Sequence, residues 1–138
     1  MRISFVAGFG PIVPDVDASH AFYSGALGIP FEGDPGYWHT DALDGVRAFA
    51  LWPLKTAAQS TFGQNEWPAD LPVPQSWLEF DVEDADAVTA AASELEEKGY
   101  RPLVPPKTEE WGQTVCRLLS PEGLLVGVTY TPWMHAPD

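Results

Sequence analysis

The chain has 138 residues, of which 45% are hydrophobic and 12% aromatic, so it can bury a core and is not expected to be disordered. Its formal net charge of −13 argues against nucleic acid as a partner, because phosphate binding needs a basic surface. A single cysteine, the lack of an apolar run long enough to span a membrane and the lack of a signal-like N-terminus predict a cytoplasmic protein without internal disulfides or membrane contact.

The first predicted elements are a strand and a helix. Residues 3–13 are apolar and small, and they predict a buried strand. Asp15 or Asp17 can cap the helix that follows, since a carboxylate accepts from free amides at a helix start. Gly28 is expected to end this helix, because glycine adopts the left-handed conformation without strain.

A hairpin and a linker are predicted next. Residues 37–43 and 46–52 alternate like strands, and the dipeptide Asp44-Gly45 between them indicates a tight turn. Residues 55–74 are rich in Pro, Gln, Ala and Asn and show little periodicity. We therefore expect this stretch to be a linker.

A second strand and helix follow the linker. Residues 77–82 alternate with period two, and the helix after them is expected to end at Gly99. Cys116 lies within an alternating run and is predicted to be a buried strand residue rather than a nucleophile. Three further strands are predicted near residues 101–104, 113–119 and 124–131, the last two joined by the turn sequence Ser120-Pro121-Glu122-Gly123.

The two halves of the chain repeat one pattern. Each helix is preceded by the sequence Val-x-Asp-x-Asp, once at residues 13–17 and once at residues 82–86. A repeat of this size indicates two copies of one supersecondary unit with a cleft between them. We predict an α/β (α+β) fold in which residues 1–138 form a single domain. It comprises a β-α-β-β-β module at about 1–54, a linker at 55–74 and a second module at about 75–134.

The chain contains three motifs: Phe22-Tyr23-x-x-x-Leu27-Gly28, the repeated Val-x-Asp-x-Asp and Ser120-Pro121-Glu122-Gly123. Together they resemble the vicinal oxygen chelate superfamily, which includes glyoxalase I, extradiol dioxygenases and the bleomycin-resistance proteins. The resemblance implies tandem βαβββ modules that form a U-shaped, mostly antiparallel sheet around a ligand cavity. It also implies a homodimer.

Many members of that superfamily bind a divalent metal, but the matching positions here hold no suitable ligands. The resemblance places three of the four metal-ligand positions on Gly8, Trp77 and Gly127, and the fourth falls in residues 46–52, which contain no Asp, Glu or His. We therefore expect no metal, no cofactor and no assigned catalytic residue. The histidines have no ligand-like spacing and are predicted to be surface or packing residues: His20, His39 and His135.

The resemblance is greatest to the metal-free bleomycin-resistance proteins, which hold a flat cationic drug between aromatic rings. It implies that three tryptophans stack on a ligand, and the acidic residues on the face of the second-module strand that carries Trp77 would attract a cation. Phe49 completes the predicted set. The candidate ligand-binding residues are thus Trp38, Phe49, Trp77, Glu79, Asp81 and Trp111.

Three interpretations remain open from the sequence. The leading one is a drug-sequestering protein that binds a small hydrophobic or aromatic, cationic antibiotic-like molecule. The second is a glyoxalase- or dioxygenase-like enzyme, a lyase or isomerase, for which Glu79, Asp81 or His39 would supply an acid or base. The third is a degenerate module that mediates protein contacts and has no pocket. Apart from these, Trp38, Trp52 and Trp77 can also be interpreted as residues that fill the core of a small domain.

Overall fold

Two copies of a β-α-β-β-β unit are present in the computed structural model, which describes residues 1–135. The first unit contains β1 (Phe5–Val13), α1 (Val16–His20), β2 (Glu32–Asp34), β3 (Tyr37–Thr40) and β4 (Ala48–Pro53). The helix α2 (Leu54–Phe62) lies between the units. The second unit contains β5 (Ser76–Asp81), α3 (Ala85–Glu97), β6 (Lys107–Thr108), β7 (Thr114–Leu119) and β8 (Leu125–Tyr130). The predicted α+β fold is confirmed.

The eight strands form one mixed sheet in the order β2-β3-β4-β1-β5-β8-β7-β6. The first strands of the two units, β1 and β5, pair antiparallel at its centre. Each of them pairs in parallel with the last strand of its own unit, β4 or β8. The remaining pairs are antiparallel. The repeat seen in the sequence is therefore a repeat in strand order.

The acidic residues that precede the two helices and the glycines that follow them act as helix-capping and helix-ending residues. The Asp15 carboxylate accepts from the Ala18 amide at 3.1 Å, and Asp84 accepts from Ala87 at 2.8 Å. The helical segments end before Gly28 and Gly99, whose φ angles are +76° and +91°. In the first unit α1 continues as a π-helical turn, Ala21–Ala26, which the sequence did not indicate.

The segment predicted to be a linker does lie between the two units, but it contains a helix that the sequence did not indicate. The helix α2 occupies residues 54–62, begins after Pro53 and ends at Gly63, whose φ is +74°. Its buried residues are small or polar, so it lacks the large apolar side chains that mark the buried face of a helix in a sequence. Trp67 is only 8% exposed, packs against Phe62 with ring centroids 4.9 Å apart, and donates to the Pro72 carbonyl at 2.8 Å.

Two strand predictions also differ from the structure. The strands β3 and β4 are separated by residues 41–47, so Asp44 and Gly45 lie in a longer loop instead of a two-residue hairpin. Residues 101–104 form no strand, although the Leu103 amide donates to the Arg117 carbonyl at 2.8 Å. A short β6 pairs with β7 slightly later in the chain.

The two units differ in how well their helices cover the sheet. The 13-residue α3 buries Val88, Ala91 and Ala92 in a core that also contains Cys116, which is buried as predicted. Neither α1 nor the π-helical turn buries a residue. No helix within residues 1–135 has both the length and the apolar character needed to cross a membrane.

Candidate functional site

A cavity of about 520 Å³ lies against the sheet and draws residues from both units and from α2. Its aromatic lining consists of Tyr37, His39, Trp52, Trp77, Trp111 and Trp133. Its polar lining consists of Thr56, Glu79, Gln113, Arg117 and Thr131, and the remaining lining residues are Ala7, Ala48 and Met134. The volume lies within the range of sites for drug-sized molecules, which are also mainly apolar with a few polar groups.

Trp77 forms one wall of the cavity because two glycines leave room for it. A side chain at Gly8 would overlap the indole ring, and a Cβ at Gly10 would lie 3.0 Å from the indole nitrogen. That nitrogen donates to the Ala50 carbonyl at 3.3 Å. The ring also meets Trp52 edge to face, with centroids 6.0 Å apart. Trp77 is 4% exposed, so it belongs to the hydrophobic core and to the cavity wall at the same time.

The sheet register aligns five residues across the cavity floor. In strand order they are Ala48, Gly8, Glu79, Gly127 and Arg117. This row offers one carboxylate beside one guanidinium, whereas a divalent ion requires three or four ligands. No group of three or more His, Cys, Asp or Glu that could hold a metal ion occurs among residues 1–135. The residues present therefore do not fit a metal.

Glu79 and Arg117 form an ion pair on this floor. Arg117 Nη2 lies 3.4 Å from Glu79 Oε2, and Gln113 Nε2 donates to Glu79 Oε1 at 2.9 Å. All three residues are nearly buried, with exposed fractions of 2% for Arg117, 6% for Gln113 and 9% for Glu79. Their polar ends thus meet inside the protein, where hydrogen bonds and charge pairing are stronger than in water.

The other terminal nitrogen of the guanidinium, Arg117 Nη1, makes a second set of contacts. Arg117 Nη1 donates to Glu109 Oε1 at 2.9 Å and to Ser60 Oγ at 3.0 Å, and Ser60 donates to Glu109 at 2.6 Å. Lys107 Nζ donates to the Ser60 carbonyl and lies 3.9 Å from Glu109. The helix α2 therefore helps to fix the cavity floor, and the cluster contains two positive and two negative side chains.

Gln113 connects the floor to the mouth of the cavity. Its amide oxygen accepts from the Trp111 indole nitrogen at 3.0 Å, and its amide nitrogen also donates to Thr131 Oγ1 at 2.9 Å. Trp111 is 51% exposed and Trp133 is 60% exposed. These two indoles expose apolar surface that a bound molecule could cover.

Tyr37 adds a neutral hydroxyl to the lining. Burial of this group raises its pKa above the ordinary value, the Glu79 carboxylate raises the pKa further, and Arg117 acts in the opposite direction. The residue as a whole is 41% exposed. The phenol is protonated at neutral pH and can donate a hydrogen bond.

Asp81, a predicted ligand-binding residue, lies outside the cavity lining and is fully buried. Its carboxylate accepts from Thr129 Oγ1 at 2.6 Å, from the Thr131 amide at 2.8 Å and from Thr131 Oγ1 at 2.9 Å. His135 Nε2 lies 2.7 Å away. Asp81 therefore anchors the chain segment after β8, which carries the lining residue Trp133.

Trp38 and Phe49 also lie outside the lining. Trp38 stacks on His20 of α1 with centroids 4.2 Å apart, and Phe49 lies 6.0 Å from Tyr23 of the π-helical turn. Side chains alternate between the two faces of a strand, and Trp38 lies between Tyr37 and His39, both of which line the cavity. The sequence indicated the correct strands but the wrong face for these two residues.

Of the six predicted site residues, the structure brings Trp77, Glu79 and Trp111 to the cavity. Sequence reasoning did not assign Tyr37, Gln113, Arg117 or Trp133 to the site. For Arg117 a signal was present, because a single charged residue interrupts the apolar run of β7 and a buried charge needs partners.

Comparisons with known proteins agree with this architecture. Residues 8–128 match the family model of the Glyoxalase/Bleomycin resistance protein/Dioxygenase superfamily. No curated protein matches the sequence.

Solved structures resemble the chain over most of its length. One is described as an NAD-dependent benzaldehyde dehydrogenase from Legionella pneumophila, with 16% identity, a TM-score of 0.63 and coverage of 89% of this chain and 96% of that one. A superfamily member from Vibrio splendidus 12B01 has 16% identity, a TM-score of 0.56 and coverage of 94% and 100%. A methylmalonyl-CoA epimerase in complex with methylmalonyl-CoA and NH4+ has 17% identity, a TM-score of 0.57 and coverage of 99% and 100%. At these identities the likeness concerns the fold.

Proposed function

This chain belongs to the Glyoxalase/Bleomycin resistance protein/Dioxygenase superfamily, and on that premise we propose that it is a metal-free protein that binds a small aromatic molecule. It would hold an antibiotic-like ligand stoichiometrically in the cavity described above, as a drug-sequestering resistance protein does. The supporting observation is the lining itself, in which four indoles surround a nearly buried polar floor.

Aromatic walls suit this function for a physical reason. An indole offers about 150–250 Å² of rigid contact surface, and each Å² of apolar surface removed from water contributes about 25 cal/mol. Trp111 and Trp133 are half-exposed and line the cavity, so a flat ligand that covers them removes this surface from water. Trp52 and Trp77 are already packed and provide a preformed wall.

The sequence also allowed a degenerate module that only contacts other proteins. In such a module the inward-facing side chains would fill the space between them, so a cavity of this size argues against it. Instead, an open space remains between Trp77 and the exposed indole Trp111 in the lining. Formation of a homodimer and a cytoplasmic location stay predictions, and light scattering on the purified protein would test the first.

The binding proposal is tested by isothermal titration with bleomycin-like and other planar antibiotics, followed by tryptophan fluorescence. We expect one-to-one binding and a loss of about five- to thirtyfold in affinity for Trp111→Ala, the range for a contact that contributes about 1–2 kcal/mol. Trp38→Ala is the matched control, because it removes the same ring from the other face of the sheet and should leave affinity unchanged. The proposal is wrong if no planar compound binds, or if both variants lose affinity equally.

A metal-free enzyme is the second candidate, favoured by the presence of Glu79, Tyr37 and His39 in one lining. Against it, both oxygens of the Glu79 carboxylate already have hydrogen-bond partners in Arg117 and Gln113, with which a substrate proton would have to compete. The two candidates are separated by incubating a bound compound with the protein in D2O and recovering it for mass spectrometry. A binding protein returns the compound unchanged, whereas an enzyme returns a product or a deuterated compound, and Glu79→Gln abolishes that conversion.

A further inference from the structure

In the ion pair on the cavity floor, Glu79 can still accept a hydrogen bond and Arg117 can still donate one. Glu79 Oε2 has Arg117 Nη2 as its partner at 3.4 Å, which is longer than the 2.7–3.2 Å usual for an N–H···O bond, so the oxygen can accept a better donor. Arg117 has five N–H donors, and within residues 1–135 its hydrogen bonds run from Nη1 to Ser60 and Glu109 and from Nη2 to Glu79.

The charges of the surrounding cluster balance. Arg117 and Lys107 face Glu79 and Glu109, and of these four side chains only Glu79 and Arg117 line the cavity. A cationic ligand that approaches Glu79 meets the guanidinium beside it, and an anionic ligand that approaches Arg117 meets the carboxylate. Either ion must compete with one member of a nearly buried ion pair for the other, although Arg117 keeps Glu109 and Glu79 keeps Gln113 as partners.

The net charge of −13 does not alter this balance. It raises the local concentration of cations near the protein surface, but salt screens that field over about 8 Å at physiological ionic strength. The equilibrium affinity inside the cavity depends on the nearest groups instead. In the lining these are Glu79, Arg117, the Gln113 amide, the protonated Tyr37 hydroxyl, the His39 imidazole and the hydroxyls of Thr56 and Thr131.

We infer that the cavity selects a neutral, planar ligand with a hydrogen-bond donor and an acceptor on adjacent atoms, such as the N–H and C=O of a cyclic amide. The donor would bind Glu79 Oε2 and the acceptor would bind an Arg117 N–H, so the ion pair is kept and extended. This inference rests on the proposed binding function, and it replaces the cationic ligand that the sequence favoured.

Four bicyclic compounds of similar size test the inference on the unmodified protein: 2-quinolone as the cyclic amide, N-methylquinolinium as the cation, 2-naphthoate as the anion and naphthalene as the apolar reference. We expect 2-quinolone to bind about tenfold or more tightly than each of the others in tryptophan-quenching titrations. Tighter or equal binding of any other compound overturns the inference and leaves the binding function intact. If none of the four binds, the inference fails, and the titrations with planar antibiotics decide the binding function separately.

A charge change on the floor provides the second test. Glu79→Gln keeps the size of the side chain but leaves Arg117 without its partner across the floor, so 2-naphthoate should gain and 2-quinolone should lose about tenfold in affinity. Glu97→Gln, at an exposed position of α3, makes the same change in net charge far from the cavity and should change neither affinity. A Glu79→Gln protein that melts normally and keeps the original order of affinities contradicts the inference.

Discussion

The side chains of Glu79 and Arg117 meet over Gly127. Both residues are register partners of Gly127, which lies between them on β8, while Glu79 lies on β5 and Arg117 on β7. Neighbouring strands are about 4.8 Å apart, so the two side chains extend across roughly twice that distance. A Cβ at position 127 would lie 3.2 Å from Glu79 Cγ. The glycine at this position thus makes room for an ion pair.

The first prediction concerns Gly127. Gly127→Ala should lower the free energy of unfolding by about 1–3 kcal/mol, because the added methyl group crowds Glu79 and Thr129 in a packed region. Chemical denaturation measures this change. Gly25→Ala is the control, since a Cβ there meets no atom within 4 Å and the helical backbone accepts alanine, so stability should not fall. Equal effects of both substitutions would show that crowding over the glycine is not the cause.

The second prediction concerns Asp81, which accepts hydrogen bonds from Thr129 and Thr131 and contacts His135. Asp81→Asn should lower the free energy of unfolding by about 2–4 kcal/mol, because an amide has one acceptor oxygen and turns its N–H groups toward donors. Chymotrypsin should also cleave faster after Trp133. Asp41→Asn, at an exposed position, should change neither stability nor cleavage. A normal cleavage rate in Asp81→Asn would contradict the anchoring role.

The third prediction is a loss of stability at alkaline pH. Burial raises the pKa of the Cys116 thiol from its ordinary value of 9.0 to about 11 in the folded protein. Between these values the unfolded chain has released its proton and the folded chain still holds it, so stability falls as pH rises. The loss should reach about 2 kcal/mol at pH 10.5.

Urea unfolding at pH 8 and pH 10.5 measures the effect of Cys116. Other groups titrate in this window as well, so the informative quantity is the difference between the protein and Cys116→Ala. The variant should show a smaller fall in stability between the two pH values. An identical fall in both proteins would mean that the thiol titrates normally.

The fourth prediction tests the structure of the segment between the units. Trp67→Ala should lower the free energy of unfolding by about 3–5 kcal/mol, because this indole is buried against Phe62. Trp133→Ala removes an indole that is 60% exposed and should lower it by less than about 1 kcal/mol. Similar values for the two variants would restore the interpretation of residues 55–74 as a solvated linker.

Features that depend on a few neighbouring residues were predicted correctly. The Asp15 cap, the glycines that follow the helices and the turn at residues 120–123 all follow local backbone rules. The repeat of these signals was enough to predict two β-α-β-β-β units. The helix α2 was missed because it is short and its buried face is formed by small and polar residues.

The face to which a strand residue points was harder to predict. Trp38 and Phe49 were assigned to the cavity, but Tyr37 and Ala48, each one residue earlier, are the ones that line it. A shift of one residue moves a side chain to the opposite face of a sheet, and alternation in the sequence does not reveal which face is inside. Trp77, which the family resemblance pointed to, does line the cavity.

By itself, the sequence determined the repeated unit, the absence of metal ligands at Gly8 and Gly127, and the supply of aromatic residues. Only the tertiary structure decided the charge of the cavity floor, because Glu79 and Arg117 are 38 residues apart in the chain. Strand pairing places β8 between them, and Gly127 leaves the space in which they meet. A buried carboxylate attracts a cation when it stands alone and loses that preference beside a guanidinium, so the chemistry of this site depends on contacts between residues distant in sequence.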